Sequence, residues 1–313
     1  MYNYPMNQNG KAKVYIAGFL AVMLIAATCV YFIFFSPKRD SNKPEETMPS
    51  GTVTISEELP VDAPGVNAEP SAPSPDDYSS YPLDTPTDCQ AVIDSYSAAN
   101  NIDPFAYPLE LTTMLYKNHD ALEFVLHYPE MIGTQDAPDY PGTIDVTGTF
   151  SSVRVPEYYQ YDLRWGYMTY AGGVLGMTGS GPTALSMVVS YLMGNPDMNP
   201  AWMAAFAENN HFTLEGGTSW SLMTEGATGL GIDVTPITAD QTRIERNLDV
   251  GNIVMCLMGP GDFTDSAQYI LIVGYNDEGY EIRDPGRPAR TAMRWQFDRL
   301  APQMEGCWIM RIL

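Results

Sequence analysis

The chain of 313 residues predicts an α+β domain behind an N-terminal anchor and tether. Three observations carry this: a helix apolar on nearly every side at residues 182–193, a series of short β-rich runs after residue 250, and a charge-free apolar run at 14–35. A buried central helix packed on a C-terminal antiparallel sheet is an α+β architecture.

The helix is framed by its punctuation. Pro182 suits a first helical turn, Gly194 suits a C-terminal cap, and TALSMVVSYLM between them has no polar face, as expected of a helix in the middle of a domain. A second helix is expected from Pro200 with Asn199 as its N-cap. The strand candidates are IVMCLM at 253–258, YILIVGY at 269–275, YEIRD at 280–284 and CWIMRIL at the end. Asn276-Asp277-Glu278-Gly279 is a turn signal that joins two of them into a hairpin.

Upstream, the sequence divides into a short cytoplasmic N-terminus (1–13), a transmembrane signal anchor (14–35), a disordered linker (36–87), a helical lead-in (88–150) and the main domain (151–313). VYIAGFLAVMLIAATCVYFIFF is uncharged for 22 residues, enough at about 1.5 Å each to span a hydrocarbon core of about 30 Å. Its aromatic end, running into Ser36-Pro37-Lys38-Arg39, is a poor cleavage site, which favours an uncleaved anchor. Lys11 and Lys13 are balanced by Lys38, Arg39 and Lys43, so charge does not set the orientation. The short N-terminus and large acidic C-terminal part place the latter outside the cell. The linker is rich in Pro, Ser, Glu and Asp and lets the domain range roughly 40 Å from the bilayer. In the lead-in, Leu109, Leu111, Met114, Leu115, Leu122, Val125 and Leu126 recur at near-helical spacing.

A net charge of -22 excludes nucleic acid as a partner class, because counterion release needs clustered basic side chains. No Cys/His spacing demands a metal, and no cofactor is expected. Cys89, Cys256 and Cys307 are expected as buried free thiols, with a Cys256–Cys307 bridge as the alternative. His119, His127 and His211 are expected in surface or packing roles. The Gly216-Gly217 and Gly259-Pro260-Gly261 segments read as turns. Tyr158, Tyr159, Tyr161 and Tyr167 are core aromatics or, if exposed, an interface.

The segments QYDLRWGY (160–167), GSGPTALSMV (179–188), GGTSWSLMTEG (216–226), GPGDFT (259–264), AQYILIVGY (267–275) and RDP (283–285) occur in an order that resembles the bacterial peptidase C thirty-nine-like domains. These are papain-fold relatives of the bacteriocin-leader peptidases, common in secreted and surface proteins of Gram-positive bacteria. The resemblance covers roughly residues 105–313 and implies a papain-like cysteine peptidase fold. It also implies a set of site positions. The nucleophilic cysteine position is held by Ser180, the base histidine position by Gln268, and the orienting acid position by Asp284. Gln160 matches the glutamine that helps form an oxyanion hole, or else makes a structural hydrogen bond to a neighbouring loop.

A helix N-terminus and an imidazole can turn a thiol into a thiolate, but a hydroxyl in the same field stays a poor nucleophile without a general base. Glutamine takes up no proton near neutral pH. The expectation is therefore a cell-surface pseudopeptidase that binds a peptide, protein or cell-envelope ligand without cutting it, with Asp284 accepting from the Gln268 amide. The alternatives are a hydrolase using Ser180 or the relocated thiol Cys256, and a structural or assembly module with an occluded groove.

Overall fold

A computed structural model describes residues 78–312, within the unit Ala68–Leu313. The expected anchor at 14–35, and the tether up to residue 77, lie outside the described residues. Among those described, no helix is long and apolar enough to cross a membrane.

Folded structure begins earlier than the linker boundary at residue 87 suggested. Tyr78–Ser80 forms a 3-10 turn, the Tyr78 ring meets Tyr96 edge-on at 5.2 Å, and Leu83 is buried. These apolar anchors find partners on helix α1 (Pro86–Asn100), which the polar composition of the segment had masked. Thr85 caps α1 by accepting from the Asp88 backbone N–H at 3.1 Å, and Asn101 closes it with φ 55°. The run at 108–130 breaks into α2 (Leu109–Lys117) and α3 (Leu122–Leu126). Asn118 is extended there, at φ −145° and ψ 95°, and its Nδ2 donates to the Gly286 carbonyl at 3.1 Å. A tertiary bond thus interrupts the expected spacing, and Leu109 faces solvent.

Helix α4 (Ser180–Met193) is buried from Ser180 through Ser190, and Gly194 ends it in the left-handed region at φ 64°. Asn199 caps α5 (Pro200–Asn209), accepting from the Trp202 N–H at 3.0 Å.

The sheet comprises β1 (Ile232–Ile237), β2 (Ile253–Met258), β3 (Gln268–Asn276), β4 (Gly279–Arg283), β5 (Arg294–Trp295) and β6 (Met304–Ile312). Its order is β1-β6-β2-β3-β4-β5 and every pairing is antiparallel. Both faces are covered, which is why β2 reads as an unbroken apolar run rather than alternating. Ile253, Met255 and Leu257 pack in the layer of α4. Val254, Cys256 and Met258 pack in the opposite layer with Ile244 of helix α6 (Gln241–Leu248). β1, β5 and α6 were not expected from the sequence.

Cys256 and Cys307 stand opposite each other on β2 and β6, with their sulfurs 3.8 Å apart as free thiols, so the bridge is not formed. Cys89 is likewise buried and free. Tyr158, Tyr161 and Tyr167 are buried, and Tyr167 stacks on Phe124 at 4.9 Å between centroids, so this group is core rather than interface.

Candidate functional site

Ser180 is the first residue of α4, and close packing sets its position. A Cβ on Gly179 would lie 2.8 Å from Leu175 Cγ, and one on Gly181 would lie 2.7 Å from Thr218 Cβ. Thr218 is fixed in turn by a 2.8 Å hydrogen bond between its Oγ1 and the Tyr170 hydroxyl. The Ser180 hydroxyl sits at the positive end of the α4 dipole and accepts from the Tyr269 backbone N–H at 3.3 Å. Since Tyr269 follows Gln268 on β3, that contact brings the Ser180 and Gln268 positions together.

Gln268 donates Nε2–H to Asp284 Oδ1 at 3.0 Å. The same oxygen accepts from the Gly286 N–H at 2.7 Å, and Oδ2 accepts from Arg290 Nη1 at 3.1 Å. The Asp284 N–H donates to Thr291 Oγ1 at 3.0 Å. Burial pushes the Asp284 carboxyl above its ordinary value, against the opposing pull of Arg290, Gly286 and Gln268. Arg290, Gly286 and Thr291 were not singled out from the sequence. The run Asp284-Pro285-Gly286 was a readable signal, because an aspartate two residues before a turn N–H commonly accepts from it.

Gln160 is held by its N–H on the Pro285 carbonyl at 2.9 Å, and its Nε2 donates to the Gly176 carbonyl at 2.9 Å. This is the structural bond to a neighbouring loop that was the alternative to an oxyanion role. Its Oε1 is buried with no hydrogen-bond partner.

A groove crosses the N-terminus of α4 in two arms that share Met177, Thr178 and Gln268. One, of about 430 Å³, is lined by Ser180, the Gly216–Thr218 segment, Trp220 and Tyr269. The other, of about 390 Å³, runs past Gln160, Phe263 and Gly286 to a wall made by α2. No histidine lines either arm. His119 and His211 are exposed, and His127 bonds the Tyr96 hydroxyl at 2.9 Å in the lead-in. Cys256 is fully buried in the sheet layer away from α4, and Cys307 and burial push its thiol up. Glu215 and Glu305 line the Ser180 arm, but among the described residues the only hydrogen-bond partner of Ser180 Oγ is the Tyr269 N–H. Among the described residues no cluster of three His, Cys, Asp or Glu side chains forms that could hold a metal.

Fold and site together define an α+β domain whose buried helix presents a hydroxyl beside an amide tethered to a buried carboxylate. No family model and no curated protein matches the chain. Among solved structures, it is similar to the peptidase domain of Streptococcus ComA, described as a bi-functional ABC transporter involved in a quorum-sensing pathway. That likeness has 20% sequence identity and a TM-score of 0.33, and covers 42% of this chain and 93% of that one.

Proposed function

We propose that the chain is a membrane-anchored, extracytoplasmic peptidase C thirty-nine-like protein of papain-like fold that binds an extended peptide or cell-envelope component and does not cleave it. The observation that carries the reading is the Gln268–Asp284 hydrogen bond beside Ser180. The group next to the hydroxyl is an amide turned toward a carboxylate, and an amide accepts no proton in the transition state. A serine with neither a base nor a thiol's acidity lacks the activation that nucleophilic catalysis needs. The two open arms support ligand binding over an occluded assembly module. Anchoring rests on the apolar run at 14–35, and the outward placement on the acidic domain and the family resemblance.

The test is hydrolysis of a broad peptide library by the purified full chain, beside a Ser180→Cys/Gln268→His double variant. A silent native chain and a cleaving variant support the reading. If the native chain cleaves and Ser180→Ala abolishes it, a serine-based mechanism replaces it.

A further inference from the structure

The groove arm that ends against α2 carries a charge that the proposed function leaves unused. Three arginines of the described region that are buried or half-buried each meet a carboxylate: Arg164 on Asp162 at 2.6 Å, Arg283 on Glu281 at 2.9 Å and Arg290 on Asp284 at 3.1 Å. Arg287 is half-buried and lines this arm, yet among the described residues its guanidinium has neither an ion pair nor a hydrogen bond. In a chain with 38 acidic and 16 basic side chains, a partly desolvated cation without an anion is conspicuous, because desolvation is offset only by pairing.

The neighbouring groups explain why no anion among the described residues serves. Asp284, three residues away, has its oxygens occupied by Gln268, Gly286 and Arg290. The other cations lining the arm are paired, Lys117 of α2 with Asp265 and Arg290 with Asp284. Glu110 also lines it, exposed and forming no ion pair with Arg287. An unpaired guanidinium lining a cleft is complementary to a carboxylate, a group that a peptide offers at its C-terminus or on an acidic side chain.

We propose that this arm is a subsite for a carboxylate of the bound peptide, paired by Arg287. The inference rests on the peptide-binding reading and specifies what one end of the groove recognises. The guanidinium provides a planar fork for two-oxygen recognition, which a lysine cannot reproduce.

The test is affinity selection of a random hexapeptide library by the purified full chain, read by mass spectrometry. The library is prepared as free acids and as C-terminal amides, each with and without Asp and Glu. Native chain, Arg287→Gln and Arg287→Lys are compared after thermal melts confirm equal folding. The expected result is enrichment of carboxylate-bearing peptides by the native chain, a loss of at least about tenfold in Arg287→Gln, and partial retention in Arg287→Lys. The amide arms separate a terminal carboxylate from a side-chain one. Peptides retained equally with and without carboxylates, and equally by Arg287→Gln, overturn this inference while leaving peptide binding standing. Retention of no peptide by the native chain overturns both.

Discussion

Gln268 and Asp284, sixteen residues apart on and just beyond neighbouring strands, are joined by a 3.0 Å hydrogen bond from the glutamine amide to Oδ1 of a fully buried carboxylate. The pair leaves Ser180 beside an amide whose donor is already engaged. It also sets how the site should respond to substitution and pH.

Replacing Gln268 by Leu removes one of three donors from the Asp284 carboxylate. Leaving a buried acceptor short of a partner costs about 1–3 kcal/mol. Urea unfolding at neutral pH is expected to show a loss in that range, and Gln268→Glu, which adds a like charge, a larger one.

The Asp284 carboxyl is raised by burial, so the folded chain holds its proton to higher pH than the unfolded chain does. Its contribution to stability is fully present below the unfolded value of about 3.9 and is lost as pH rises through the folded value. Asp284→Asn is expected to show a shallower decline in unfolding free energy above about pH 4 than the native chain. A slope equal to the native one would mean that Asp284 does not titrate as its burial implies.

Asp262 behaves in the opposite sense. Hydrogen bonds from Arg299 at 2.7 and 2.8 Å and from Gln303 at 2.8 Å hold it down at about 2. Its contribution is present above the unfolded value and is lost as pH falls through about 2. Thermal melts between about pH 4 and pH 2 are expected to fall less steeply in Asp262→Asn than in the native chain.

Gly176 accepts the Gln160 amide and has no room for a side chain, since a Cβ there would lie 2.6 Å from Phe124 Cε2 and 3.0 Å from the Gly166 carbonyl. Gly176→Ala is expected to destabilise by about 1–3 kcal/mol in urea unfolding. A neutral result would show that Phe124 moves aside freely.

Cys89, Cys256 and Cys307 are buried thiols, so alkylation by iodoacetamide is expected to be slow in the native chain and fast in urea. Peptide mass spectrometry resolves the three sites. Rapid native labelling of Cys256 would contradict its place in the sheet layer.

Several elements were legible because their signals are local. The apolar run of α4 between Pro182 and Gly194, the Asn199 cap, and the unbroken run of β2 each require only neighbours in the chain, and each appears where its residues pointed. The hairpin at Asn276–Gly279 is of the same kind.

β1 was missed because Ile232–Ile237 includes Asp233, Thr235 and Pro236, and its pairing is with β6 some seventy residues on. As an edge strand it tolerates a proline that local propensity counts against it. Asn118 was missed as a helix break because its reason, a bond to the Gly286 carbonyl, is a contact between distant segments.

The sequence by itself determined the α+β class and the central helix, since these follow from residue identity and short-range pattern. Only the tertiary structure decided that Gln268 is bound to Asp284, that Gln160 spends its amide on Gly176, and that Arg287 meets no anion among the described residues. Pairing and desolvation depend on which distant groups arrive first at a shared carboxylate, and spacing along the chain does not encode that competition.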